Sequence, residues 1–188
     1  MSGHDRSWSP RDRPPEEIEA GPIVLRRWVA GDLDGLADAV ERSRSHLSPW
    51  QDWAATADRE SLPGFLSYSE WTWDACTDFG FGLRELDGRI VGGAGLHARV
   101  GRNALEIGYW VAADRINRGY ATAAAGALAA AAFGLPGVGR VEIHCDEANL
   151  RSAAVPRKLG FQLDRVEEDA KEAPAEAGRS MIWVLSRP

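Results

Sequence analysis

Asn117-Arg118-Gly119-Tyr120-Ala121-Thr122, followed by an alanine-rich run from Ala123 to Ala132, is the segment of this 188-residue chain best suited to chemistry. It follows Ile107-Gly108-Tyr109-Trp110-Val111, whose aromatic and β-branched residues read as a strand. A strand therefore runs through a short polar turn and a glycine into a strong helix former. The first turn of a helix presents unpaired N–H groups and the positive end of the peptide dipoles. Glycine there lets an anion come close to the backbone, and Thr122 adds a hydroxyl, so the segment forms a cradle for a pyrophosphate. The same residues also fit an ordinary strand-to-helix connection. Neither G-x-x-x-x-G-K-[ST] nor G-x-G-x-x-G occurs, which excludes the two most familiar phosphate loops.

The elements that must position this turn follow from periodicity. Residues 1–21 are polar and proline-bearing and read as a mobile tail, with a single domain over 22–188. Pro22 to Arg27 reads as the first strand. Asp32 or Asp34 caps a helix running to about Arg44, and a second helix is expected from about Glu60 to Ala75. Leu62, Phe65, Leu66, Tyr68 and Trp73 are available for its buried face. The period then changes to two: Phe79–Glu85 and Arg89–His97 flank Asp87-Gly88, a tight-hairpin signal, and Ala104–Val111 is a third strand. An alanine-rich helix over about Gly119 to Phe133 stops before Leu135-Pro136-Gly137. Arg140–Cys145 is strand again, Asn149–Leu159 helix, and Phe161–Val166 and Met181–Leu185 pair across a polar loop from Glu167 to Gly178. This succession makes a mixed α/β domain.

Composition narrows the function. A formal charge of −6 argues against a nucleic-acid-binding surface, which wants a basic stripe. Basic residues still gather at Arg115, Arg118, Arg151, Arg157 and Lys158, around the anion turn. That balance suits an anionic cofactor and a cationic amine substrate. Two cysteines, Cys76 and Cys145, stand far apart in no metal-ligand spacing, so neither a disulfide framework nor a metal site is expected. Cys145 falls in an apolar alternation and reads as a buried thiol. With no apolar run of about eighteen residues and no signal-peptide core, a soluble cytoplasmic protein without membrane contact is expected.

Three segments in order then carry a family resemblance: Glu106-Ile107-Gly108-Tyr109-Trp110-Val111, the Arg118–Thr122 turn, and Asn149-x-x-Ser152 with Lys158-Leu159-Gly160-Phe161. Together they resemble the GCN5-related N-acetyltransferases, and within them the RimJ/RimL-like branch that acetylates protein N-termini. The resemblance runs from about Ile23 to Leu185. It implies the acyl-CoA N-acyltransferase fold, in which two neighbouring parallel strands, here Ala104–Val111 and Arg140–Cys145, splay apart to admit the pantetheine arm of acetyl-CoA.

Amide formation from a thioester needs a proton acceptor for the amine, donors for the carbonyl oxygen and an exit for the thiolate. The resemblance makes Glu106 the leading base, with Asp146 and Glu147 as alternatives; Glu106 also fits a plain outward-facing strand residue. An α-amine titrates near 7.7–8.0, about 2.5 units below a lysine, so a carboxylate acting through water suits an N-terminal amine. A backbone N–H near Trp110 or Val111, where the family strand bulges, serves the oxyanion, and Trp110 walls the site or packs in the core. Asn117, Arg118, Gly119, Tyr120, Ala121 and Thr122 would hold the diphosphate, and Asn149 the pantetheine while also capping a helix. The position of the family's tyrosine acid is Pro156, so Ser152 is the substitute that stabilises the thiolate. Pro156 inside a helix deletes a hydrogen bond to the Ser152 carbonyl and bends the axis. The turn also departs from the family at Ile116, where a Gln or Arg is usual. His97 and His144 read as packed or surface histidines. Trp50, Trp53, Trp71 and Trp73 fall on the acceptor side, some in the core and one or two along the substrate groove.

The reading is therefore direct transfer of acetyl from acetyl-CoA to a protein or peptide N-terminal amine, with no metal. Two rivals stay open: a small-amine acetyltransferase (aminoglycoside, polyamine or amino acid), which the acidic residues from Asp164 to Glu176 would suit, and a non-catalytic acyl-CoA-binding module. Relatives often pair, which leaves a homodimer open.

Overall fold

Strand and helix boundaries follow the change of period along the chain. The structure, a computed structural model, describes residues 12–187. Its elements are β1 (Glu17–Ala20), β2 (Ile23–Arg27), α1 (Leu33–Glu41), α2 (Arg44–Leu47), α3 (Trp53–Thr56), α4 (Leu62–Ala75), β3 (Asp78–Glu85), β4 (Ile90–His97) and β5 (Ala104–Val111). Beyond these come α5 (Tyr120–Gly134), β6 (Arg140–Asp146), α6 (Leu150–Lys158), β7 (Gln162–Glu168) and β8 (Arg179–Ser186). One eight-stranded sheet runs in the order β1-β2-β3-β4-β5-β6-β8-β7, antiparallel except for the parallel β5–β6 pair. This is the expected mixed α/β architecture with one more strand.

The added strand lies inside the expected tail. Glu17–Ala20 pairs with β2 through Gly21-Pro22, with Gly21 at φ +62°. A glycine at the first position of a two-residue hairpin loop is the signature of a type II′ turn, and the Glu-Ile-Glu alternation before it carries the strand signal. Ordered structure thus starts before residue 22; residues 1–11 of the expected tail lie outside the described residues.

Glycines decide what each face of the sheet carries. Gly80 and Gly82 on β3, Gly93 and Gly95 on β4, and Gly108 on β5 share one face, because Gly80↔Gly95, Gly82↔Gly93 and Gly95↔Gly108 are cross-strand partners. A Cβ at Gly82 would lie 2.7 Å from the Trp28 ring, and one at Gly93 2.6 Å from Trp110 Nε1, so only glycine lets these indoles lie on the strands. Trp28, Leu36, Val40, Leu62, Leu66 and Ile90 form a small core here, under α1 and α4. The alternate residues Phe79, Phe81, Leu83, Leu96 and Ile107 point the other way, into the main core. There α5 lays Ala124, Ala125, Leu128, Ala129 and Ala132 against the sheet, small side chains that let its axis come close.

Of the expected α4 face, Leu62, Leu66 and Trp73 are buried, whereas Phe65 and Tyr68 are exposed. Asp32 precedes α1 but does not cap it through its side chain; it accepts from Val29 N and pairs with Arg26 and Arg84. Among the described residues no helix is long and apolar enough to cross a membrane.

Candidate active site

The parallel pair β5–β6 is joined only at Ala104↔Arg140, Leu105↔Val141 and Glu106↔Glu142. Beyond Glu106 the two strands separate, so the edge of β5 from Ile107 to Val111 has no ladder partner on β6. Such an edge carries unmade donors and acceptors, which an amide-bearing ligand satisfies. The expected bulge in β5 does not occur: β4 and β5 stay in register from Glu106 to Val111, and the register shifts fall opposite Leu83 and Arg84, where Val91 is the extra residue on β4, and in the β7–β8 pair at Leu163 and Arg165. Donors come free because the neighbouring strand leaves.

The anion turn lies beyond the end of β5. Asn117 (φ +61°) and Gly119 (φ +80°) are both left-handed, so the chain coils tightly before α5 begins at Tyr120. The first intrahelical bond is Ala123 N to Gly119 O, which leaves the N–H groups of Tyr120, Ala121 and Thr122 as first-turn donors. Arg118 is half-exposed, 3.8 Å from Glu85. Glu85 itself accepts from Tyr120 Oη (2.7 Å) and Arg115 Nε (2.9 Å). The Tyr120 hydroxyl, with Arg115, holds that carboxyl below its usual range. Arg115 is thus spent on Glu85 and Asp114, and Arg157 lies over the Trp183 ring at 5.1 Å. Of the basic group read from sequence, Arg118 is the member at the mouth of the turn. These donors, with the open β5 edge, fit a diphosphate and a pantetheine arm.

On the far side of the split, Asn149 Oδ1 accepts from Ser152 N (3.1 Å) and caps α6, as expected. Pro156 sits inside α6 and supplies no N–H to the Ser152 carbonyl. That carbonyl accepts instead from Tyr109 Oη on β5, at 3.0 Å. The same phenol lies 3.1 Å from Ser152 Oγ. One tyrosine therefore ties β5 to α6 across the split, and fixes the serine hydroxyl. Burial pushes the Tyr109 phenol well above its ordinary value, so it stays protonated. Burial also pushes the free thiol of Cys145 up to about 11, which makes it an inert neighbour. Gly160 (φ +80°) ends α6, with Phe161 N bonding Pro156 O across it, so Lys158-Leu159-Gly160-Phe161 is a helix stop.

A cavity of about 780 Å³ opens on the glycine face and reaches the split. Trp28, Trp50, Trp53, Phe65, Tyr68 and Trp110 wall it, and Trp110 packs edge-on to Trp53 at 5.8 Å. Trp73 is wholly buried in the main core and Trp71 stands outside. At the inner end, Glu106 is 6% exposed and receives both prongs of Arg99, at 2.6 and 2.8 Å. Burial alone would raise its pKa; the Arg99 bond and charge, then His144 and His97, bring it below the ordinary carboxylate value. His97 Nδ1 lies 2.7 Å from Asp78 Oδ1, and His144 Nε2 lies 2.7 Å from Glu142 Oε2. Asp146, offered by the sequence as an alternative base, accepts from Ala148, Ala177, Gly178 and Arg179 N, and Glu147 pairs with Arg179. Both hold the loop between β7 and β8. Sequence reasoning missed Arg99, Tyr109 and the two carboxylate–imidazole pairs: Asp78 meets His97 by cross-strand register, Glu142 and His144 stand two apart on β6, Arg99 reaches Glu106 from the turn after β4, and Tyr109 reaches α6.

A sheet parted at one parallel pair, with an anion turn at the next helix, is the architecture of acyl-CoA-dependent acyltransferases. Residues 23–162 match the family described as Acetyltransferase (GNAT) domain, and the chain belongs to that family. It is an acetyl-CoA-dependent acetyltransferase. The chain is 30% identical over 142 residues to YdaF of Bacillus subtilis, provisionally named a ribosomal N-acetyltransferase, covering 74% of this chain and 77% of that one. Mycobacterium smegmatis RimJ in complex with CoA-disulfide superposes with a TM-score of 0.81 at 24% identity, over 93% of this chain and 90% of that chain. The microcin C7 self-immunity acetyltransferase MccE, solved with acetyl-CoA and AMP, superposes with a TM-score of 0.82 at 18% identity, over 92% and 97%.

Proposed function

We propose that the chain moves the acetyl group of acetyl-CoA to the α-amine of a protein or peptide N-terminus, directly, in a ternary complex. The observation that carries this is the shape of the acceptor cavity. Its aromatic wall continues outward along α4 as Phe65, Tyr68 and Trp71, which are 45%, 58% and 63% exposed, one helical turn apart. A polypeptide leads its first side chains along such a lip while only its terminal amine reaches the split. The inner carboxylates already have partners: Glu106 takes both prongs of Arg99, and Asp78 and Glu142 each hold a ring nitrogen of His97 and His144. A polycation would need uncommitted acids, and of the acidic run from Asp164 to Glu176 the one residue lining the cavity is Glu176, whose carboxylate bonds Glu172 and Ala173 N. The name of YdaF, similar over most of this chain, points to the same acceptor class.

In this reading the diphosphate rests on the N–H groups from Arg118 to Thr122, and the pantetheine completes the open β5 edge beside Asn149. The carbonyl oxygen takes a main-chain N–H near Trp110 or Val111. Ser152, oriented by Tyr109, donates to the departing sulfur. Glu106, held by Arg99, stands at the inner end of the cavity beside the path of the amine. Free-thiol release from acetyl-CoA, measured with short peptides beginning in Ser, Ala, Met or Gly and with spermidine, kanamycin and free amino acids, tests the assignment. Turnover confined to peptides is the expected result, and turnover with the small amines alone would overturn it.

A further inference from the structure

Resting on that acetyl-transfer reading, the identity of the group that receives the amine proton can be argued from the inner end of the cavity. The Asp78 carboxylate can only accept a hydrogen bond, so the 2.7 Å contact puts the hydrogen of His97 on Nδ1 and leaves a lone pair on Nε2. No hydrogen bond to Nε2 occurs among the described residues. Gly95 lets the ring lie on the sheet beside Gly108, since a Cβ at Gly95 would come within 2.9 Å of that nitrogen. His97, Gly95 and Gly108 all line the cavity, and His97 is the direct cross-strand partner of Glu106.

We infer that His97 Nε2 is the base that deprotonates the incoming ammonium, that Asp78 is its positioning residue, and that Glu106 steadies the imidazolium from the neighbouring strand. Glu106 is poorly placed to do this itself, since both its oxygens are held by Arg99. As side-chain types, an imidazole accepts a proton from an α-amine far more readily than a carboxylate does. His144 is less suited: Glu142 holds its Nε2, and its Nδ1 faces Glu106 Oε2 at 3.9 Å.

The ammonium gives one proton to Nε2, and the amine nitrogen then bonds the thioester carbonyl carbon. The C–S bond breaks with its electron pair on sulfur, the second N–H proton ends on that sulfur as the thiol, and the imidazolium releases its proton to solvent. Asp78 on β3, Arg99 after β4, Glu106 and Tyr109 on β5, His144 and Cys145 on β6, Tyr68 on α4 and Glu176 before β8 are the charged or titratable groups around this end of the cavity. Asp146, also lining it, is held by four main-chain N–H groups.

The test uses the full chain with acetyl-CoA and the peptide panel. In His97→Gln, kcat/KM falls about a hundredfold at neutral pH and the acid limb due to the imidazole disappears, leaving only the titration of the amine. Asp78→Asn keeps the imidazole, lowers kcat about tenfold with little change in KM, and shifts the tautomer. Side-chain ¹⁵N spectra read that tautomer without any acceptor, as protonated Nδ1 and bare Nε2 in the wild type. Acetyl-CoA binding by calorimetry shows that each variant is folded; should His97→Gln not fold, Asp78→Asn decides alone. An active wild type with an unaltered pH profile in His97→Gln, unaltered rate and tautomer in Asp78→Asn, or an Nε2-protonated wild type overturns the inference. A wild type inactive on every amine instead overturns the acetyl-transfer reading beneath it.

Discussion

Tyr109→Phe removes one hydroxyl and tests how the split is held together. In the structure that hydroxyl donates to the Ser152 carbonyl, which Pro156 cannot serve, and touches Ser152 Oγ. Losing the donor leaves a part-buried carbonyl unsatisfied, which costs about 1–3 kcal/mol. For a chain of this length that is a fall in Tm of about 2–4 °C for each kcal/mol. The cause is specific, so it predicts a cycle. Pro156→Ala restores an N–H four residues after Ser152, and in that background the phenol becomes redundant. The Tyr109→Phe penalty should then shrink by about 1 kcal/mol or more, a coupling of the size expected between groups that share a partner. Urea unfolding of the wild type, both single variants and the double variant measures it, and thiol release in the same four proteins should show Tyr109→Phe lowering kcat as Ser152 loses its fixed orientation. Strict additivity of the two changes would refute the account of Pro156.

Glu106→Gln should lower kcat/KM at neutral pH by at least about tenfold in the thiol-release assay, and unchanged turnover would remove Glu106 from the mechanism. Gly119→Ala forces a side chain into a left-handed residue at φ +80°, a cost of about 1–2 kcal/mol, and should raise KM for acetyl-CoA with kcat nearly unchanged. Trp71→Ala should raise KM for peptides longer than a few residues and leave that for a dipeptide unaffected, a contrast read directly in steady-state kinetics. Glu106 and Asp146 both have folded-state pKa values below their ordinary ones, Glu106 through Arg99 and Asp146 through four main-chain N–H groups, each against the opposing effect of burial. Their stabilisation is complete above the unfolded values near 4 and is lost as pH falls through the folded ones. Acid denaturation followed by circular dichroism should therefore begin below about pH 4 and be less steep in Asp146→Asn.

The parts of the fold that were legible are those with local causes. The Asp87-Gly88 hairpin, the alanine-rich helix after Gly119 and the Asn149 cap each depend on a few neighbouring residues, and all three stand where expected. Even the missing bond at Pro156 could be read, because it follows from one absent N–H. What replaced it could not: Tyr109 and Ser152 are 43 positions apart and meet only across the split between β5 and α6. Arg99 on Glu106 and Asp78 on His97 are likewise set by register between strands, so Glu106 looked like a free carboxylate and His97 like an isolated histidine. Tyr68 and Phe65 were counted toward the core of α4 on their apolar character alone. Their spacing serves an open groove equally well, and only the position of α4 over the glycine face decides between the two.

A crystal of the protein grown with coenzyme A shows whether the cofactor enters between β5 and β6. Diphosphate density is expected on the main chain from Arg118 to Thr122 and pantetheine density between Ile107–Val111 and Ile143–Asp146. Coenzyme A bound elsewhere, with β5 and β6 hydrogen-bonded to one another beyond Glu106, would contradict that placement.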